Sequence, residues 1–311
     1  MGRGCIGRNC TCKAVSRGTS PGISPHKWRQ IGRHPGMWLG PRLEARYGSG
    51  YRRYEMAQTR TLVGTPVWVD LAATDAGAAR AYYEKLFGWK VEVSPDPQYG
   101  GYGMAKVDGK EVAGIGPKMN AEQPTVWQLY IGTDDAEATA KKVEAAGGKV
   151  IAPPFDVGDQ GKMAVFQDPV GAFISVWQPQ NMAGYYSHQP NTFAWAELNA
   201  RGIDKAKPFY KEVFGWGEKN TPMGEGMGDY TEFLQGGQSI LGGTEMNPMV
   251  PAEVPSYWMV YFGVTDVDKK FEEAKAAGGK ELMGPSDYPG GRFAILSDPE
   301  GAAFGILNVQ S

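Results

Sequence analysis

Along the chain from residue 66, apolar and polar positions alternate between two periods. Val67 to Ala72 is a β-rich apolar run, and residues 76–87 then carry apolar side chains at helical spacing. Asp75 stands where an N-cap belongs and Gly88 where a helix stops. Short strands follow. Gly100, Gly101 and Gly103 break one region, and Asp108-Gly109 separates GMAKV from KEVAGIG as a hairpin turn. The same order then returns, with a strand predicted over 126–132, a helix over 135–146, and strands near 149–152, 163–167 and 172–177. Together these make two βαβββ modules.

The whole pattern occurs twice. PVWVDLAATDAGAARAYYEKLFGW, residues 66–89, matches FAWAELNARGIDKAKPFYKEVFGW, residues 193–216, without a gap. Trp127–Lys149 matches Trp258–Lys280, and GKMAVFQDPVGAF from Gly161 matches GRFAILSDPEGAA from Gly291. Three matches in one order make the body a tandem duplication. The expected organisation is a first domain over 64–180, a polar linker over 181–191 and a second domain over 192–310.

The module order, with the phrases YYEKLFGW, FYKEVFGW, DPVGAF and DPEGAA, resembles the vicinal-oxygen-chelate superfamily of glyoxalase, bleomycin-resistance and dioxygenase proteins. The phrasing is nearest to tandem proteins of the actinobacterial type. The resemblance implies an α+β fold of four βαβββ modules forming two domains, each a curved mixed sheet around a cavity. It implies no single chemistry, because one fold hosts many functions.

Charge divides the chain. Residues 1–55 hold nine Arg and two Lys against Glu44 and Glu55, a local balance of +9. This leaves residues 56–311 with 21 positive and 32 negative charges. An acidic body opposes nucleic acid as the main ligand, since phosphate binding rests on clustered cations. A small molecule is the expected partner, with no membrane partner. The basic stretch is rich in Gly, Arg and Pro, shows neither period and is expected to be disordered. Met56 directly precedes the first strand pattern, so residues 1–55 read as lying upstream of the true start. Cys5, Cys10 and Cys12 all lie there, without paired Cys-x-x-Cys spacing. The body has no thiol and no span of the roughly 20 apolar residues that cross a bilayer, so a cytoplasmic protein is expected.

In catalytic members of the superfamily, a divalent metal is held by His, Gln and Glu on the first and last strands of each module. Carried onto this chain, those positions are Trp68, Gln128 and Ser175 in the first copy and Trp195, Met259 and Gly305 in the second. Only Gln128 offers a ligand, and the body's one histidine, His188, sits in the linker. The expectation is no cofactor and no metal site, a divalent metal bound in another way being the alternative.

Residues two apart on a strand share a face. Trp68 therefore brings Asp70 with it, Gln128 brings Tyr130, and Ser175 brings Trp177. In the second copy Trp195 brings Glu197, and Met259 brings Tyr261. These ten residues are the expected ligand-binding set, an aromatic lining with one acid per copy. Asp70 and Glu197 are the candidate catalytic groups, as acid or base made more basic by apolar neighbours. Anchoring a cationic or hydroxylated ligand is the other functional assignment, and the competing one leaves them as strand acids near the barrel mouth, solvated or paired with an Arg. Phe87, Trp89, Phe214 and Trp216 are expected in the core, and the Asp-Pro-x-Gly segments as turns.

Two functions remain at this point. One is a protein that binds a small organic molecule in metal-free cavities. The other is an enzyme of lyase, isomerase or hydroxylase type that uses Asp70 and Glu197 or an unrecognised metal. The two copies form a pseudo-dimer within one chain, and the first, being more polar, is the expected working site.

Overall fold

The computed structural model of the chain describes residues 63–224 and 228–309, so the basic stretch 1–55 and its cysteines lie outside the described residues. The first copy opens with β1 (Pro66–Ala73) and α1 (Ala76–Phe87), then β2 (Lys90–Val93), β3 (Gly103–Val107) and β4 (Lys110–Pro117). Its second module is β5 (Val126–Gly132), α2 (Ala136–Ala145), β6 (Lys149–Val157), β7 (Gly161–Gln167) and β8 (Phe173–Pro179). The second copy repeats this as β9 (Phe193–Ala200), α3 (Ile203–Phe214), β10 (Gly217–Pro222), β11 (Asp229–Gln235), β12 (Gln238–Glu245), β13 (Tyr257–Val264), α4 (Val267–Ala276), β14 (Lys280–Tyr288), β15 (Gly291–Ser297) and β16 (Ala303–Asn308).

Each copy forms its own eight-stranded sheet, in the order β2-β3-β4-β1-β5-β8-β7-β6 and β10-β11-β12-β9-β13-β16-β15-β14. The first strand of each module pairs parallel with its last, as β1 with β4 and β5 with β8. A parallel partner needs a crossover, which α1 and α2 supply. The two modules meet where β1 runs antiparallel to β5, setting Trp68 opposite Tyr130 and Asp70 opposite Gln128.

Local signals place the helices where the sequence does. Asp75 caps α1 by accepting from the Ala78 amide at 2.9 Å, and Gly88 ends it in the left-handed region at φ 69°. The second copy departs from this. Its α3 starts after Gly202, which has no capping side chain, and the Glu245 carboxylate at the end of β12 takes the Gly202 and Ile203 amides instead. The counterpart of the Asp75 cap is thus missing there, and a neighbouring strand supplies the acceptor. The strand expected near 149–152 also continues to Val157, through Pro153 and Pro154. That strand is the edge of its sheet, where a missing amide costs no ladder bond.

Alternate residues of β1 divide between two faces. Val69, Leu71 and Ala73 join the core under the helices with Tyr83, Leu86 and Phe87 of α1. That core runs unbroken into the second copy through Phe209, Tyr210, Phe262 and Phe304. The junction is reciprocal. Trp127 donates its indole N–H to the Tyr83 hydroxyl, which donates to Asp298 of the second copy's Asp-Pro-x-Gly turn. Trp258 donates to Tyr210, which donates to Asp168 of the first copy's turn. Trp89 and Trp216 also reach across, donating to the carbonyls of Asn191 and Gly64 respectively. The turns keep their expected geometry, with Gly171 and Gly301 both at φ 98°, and their aspartates tie the copies together as well. Among the described residues, no helix is long and apolar enough to cross a membrane.

Candidate functional site

The side chains of Trp68, Asp70, Tyr130 and Trp177 stand on the face of the first sheet away from its helices, with Met104, Met163, Met182 and Tyr185 packed around the three aromatic rings. Asp70 is the acid on this face. Its Oδ2 accepts from the Tyr130 hydroxyl at 3.0 Å and from the Tyr102 hydroxyl at 3.1 Å, and Tyr102 in turn accepts from the Trp68 indole N–H at 2.9 Å. Among the described residues no donor engages Oδ1, and Asp70 is half-buried rather than sealed. Burial pushes its carboxyl up to about 6, against the opposing pull of the Tyr130 and Tyr102 hydrogen bonds.

Tyr102 comes within reach because its partner strand has no side chain at the crossing point. Gly114 pairs with Asp70 across β1 and β4, and a Cβ there would lie on the Tyr102 hydroxyl. Gly242, paired with Glu197, clears the same space for Tyr230. Trp195 donates to the Tyr230 hydroxyl at 3.1 Å, repeating the Trp68–Tyr102 bond.

Beyond that bond the second copy differs. Glu197 is 1% exposed, and Trp195, Tyr230, Met259 and Tyr261 are all buried with it. Its Oε1 receives a long contact of 3.4 Å from Asn199, while Oε2 is buried with no partner. Burial pushes its carboxyl up to about 8, with Tyr230 and Asn199 pulling the other way. Tyr261 sits opposite Trp195 and beside Gly305, whose missing side chain its ring covers. Its hydroxyl has no partner, whereas the equivalent Tyr130 hydroxyl holds Asp70.

Of the ten residues singled out from sequence, the structure sets Trp68 opposite Tyr130, Asp70 opposite Gln128, and Tyr130 beside Ser175. Gln128 is half-buried, and Ser175 is buried with its hydroxyl unpaired. Trp177 spends its indole N–H on the Met182 carbonyl. Trp195 stands opposite Tyr261, and Glu197 opposite Met259. Sequence comparison missed Tyr102 and Tyr230, because the loop before them differs by one residue between copies and ends the ungapped match. It also missed Tyr185. This linker residue packs edge-on to Trp68 at 5.9 Å between ring centroids, and its buried hydroxyl is unpaired. His188 is exposed, paired with Ser187 and set against Phe193.

The donors at the strand positions do not suit a divalent metal. An indole N–H has no lone pair to give, and that of Trp68 is already spent on Tyr102. Gln128 and Ser175 add one neutral amide and one neutral hydroxyl, and Trp195, Met259 and Gly305 add no hard donor. Among the described residues, no three His, Cys, Asp or Glu side chains gather as a metal would require.

Comparison with known proteins bears on this geometry. The sequence model of the glyoxalase/bleomycin resistance protein/dioxygenase superfamily matches twice, over residues 65–176 and 192–306. The chain is 41% identical over 250 residues to the glyoxylase-like protein CFP32 of Mycobacterium tuberculosis, spanning 78% of this chain and 94% of that one. It is 37% identical over 267 residues to the anthracycline biosynthesis protein DnrV of Streptomyces peucetius, spanning 81% and 96%. Among solved structures, the Mn(II)-bound glyoxalase of Novosphingobium aromaticivorans superposes with a TM-score of 0.55 at 18% identity, over 80% of this chain and 83% of that one. At that identity the likeness is one of fold.

Proposed function

The chain belongs to the glyoxalase/bleomycin resistance protein/dioxygenase superfamily, and we propose that it binds a small aromatic, hydroxylated or amine-bearing molecule on the helix-free face of its first copy, without a metal. The observation that carries this reading is Asp70. One carboxylate oxygen is fixed by two tyrosine hydroxyls, while among the described residues no donor engages the other, on a face lined by Trp68, Tyr130 and Trp177. A fixed acceptor beside apolar rings suits a ligand that brings one hydroxyl or N–H donor on a flat apolar body. Gln128 and the Ser175 hydroxyl supply further polar contacts on the same face. The acidic body, with 21 positive against 32 negative charges beyond residue 55, favours such a molecule over a polyanion. A relative named for anthracycline biosynthesis makes hydroxylated polycyclic aromatics the first compounds to assay.

The test is calorimetric titration with a hydroxyanthraquinone, catechol and phenol panel. Binding that disappears in Asp70→Asn supports the reading, and binding unchanged in that variant removes it. One observation favours a second reading, in which Asp70 is a general base. Its carboxyl is raised to about 6, close to the range in which proton transfer to and from substrate is efficient. A panel compound that is turned over by the wild type and bound but left intact by Asp70→Asn would select this alternative.

A further inference from the structure

Among the described residues, three buried oxygens of the second copy have no hydrogen-bond partner: Glu197 Oε2, the Tyr261 hydroxyl and the Tyr288 hydroxyl. All three belong to the cluster on the helix-free face of the second sheet, walled by Trp195, Tyr230, Met259 and Met283. Met259 pairs with Glu197 and Tyr261 with Trp195, so the Tyr261 and Glu197 side chains share this face, and Tyr288 is buried in the same cluster. Among the described residues no ion pair reaches Glu197, and Arg201 is spent on the carbonyls of Val250, Pro251 and Val254.

Buried polar groups normally find partners, and a buried carboxylate without a counter-charge is costly. Three unpaired oxygens, one of them on a carboxyl group, match one ligand chemistry closely. A primary ammonium carries three N–H donors and a single positive charge, and aromatic faces around it add cation–π attraction. We propose that the second copy is a separate site for a small primary ammonium group, held by Glu197, Tyr261 and Tyr288. This inference does not depend on the ligand of the first copy. The asymmetry between the copies fits it, because Gly305 in place of Ser175 lets Tyr261 turn across the strand and leaves its hydroxyl free of Glu197.

The experiment is thermal shift and calorimetry with methylammonium chloride near neutral pH. Sodium chloride and tetramethylammonium chloride at equal ionic strength are the controls, and the buffer contains no amine. Methylammonium should stabilise and bind the wild type and Asp70→Asn alike. Glu197→Gln should weaken binding by at least about tenfold, and Tyr261→Phe by about threefold to tenfold. Tetramethylammonium, with the same charge and no donor, should do nothing beyond sodium. The proposal is overturned if methylammonium matches sodium, if Glu197→Gln binds it as well as the wild type does, or if tetramethylammonium binds equally. Retained methylammonium binding in Asp70→Asn keeps the result separate from any failure of the first-copy reading.

Discussion

The helix-free faces of the two sheets carry one plan carried out in two ways. Each has a Trp, an acid two residues later and a Tyr from the opposite strand, in the same register. In the first copy the tyrosines converge on the carboxylate, which stays half-buried with one oxygen open. In the second the acid is one methylene longer, sealed at 1% exposure, and its Tyr partner has turned away over Gly305. Duplication thus preserved the scaffold while small changes at 175/305 and 128/259 altered what the acid meets. A hydrogen-bonded, accessible carboxylate can take a ligand without rearrangement, whereas a sealed one with an unpartnered oxygen is costly until something binds it.

The shared scaffold sets the largest expected effect. Tyr83 and Tyr210 each link an indole of their own copy to the other copy's aspartate. Tyr83→Ala and Tyr210→Ala should each cost about 3–5 kcal/mol in denaturant unfolding. Nearly equal losses are expected, because this part of the molecule is symmetric, and a large inequality would break that symmetry.

Next come the acids themselves. Both carboxyls hold protons more tightly when folded than when unfolded. Each therefore contributes most stability below its ordinary value and loses it as pH rises through the raised one, from 3.8 to about 6 for Asp70 and from 4.5 to about 8 for Glu197. In amine-free buffer above pH 8, Glu197→Gln should stabilise the protein by up to about 4 kcal/mol. Asp70→Asn should gain less, since two tyrosine hydrogen bonds favour its charged form. Unfolding curves against pH check the order, and a larger gain at Asp70 would reverse the comparison.

Smaller effects probe the clearance at the glycines. Gly114→Ala puts a Cβ onto the Tyr102 hydroxyl and should cost about 1–3 kcal/mol while freeing Asp70 from one donor. Smallest in stability, Tyr102→Phe removes a hydrogen bond that favours the charged acid. The Asp70 titration, followed by carboxyl carbon NMR, should therefore move upward from about 6.

Much of this is legible in the sequence. The α1 caps at Asp75 and Gly88, the hairpin at Asp108-Gly109 and the alternation that set Trp68 beside Asp70 and Gln128 beside Tyr130 all follow from local periodicity and spacing. The missing features depend on long-range approach. Tyr102 matters only because Gly114, twelve residues on, lacks a side chain, and no local pattern records that complementarity. The α3 cap by Glu245 and the pairing of Tyr83 with Asp298 join residues far apart in sequence, so they emerge only once the sheets are packed. Tyr185 was hidden for a different reason: a polar, Pro-containing linker reads as a connector, yet it lays one ring against Trp68.

The central claim is that the two copies are one fold with a single open recognition face for an aromatic hydroxylated ligand. Calorimetric stoichiometry with a hydroxyanthraquinone tests it most directly, measured on the wild type, Asp70→Asn and Glu197→Gln. The account predicts one molecule bound per chain, lost in Asp70→Asn and retained in Glu197→Gln. Two equivalent molecules per chain, or binding that survives Asp70→Asn and vanishes in Glu197→Gln, would contradict it.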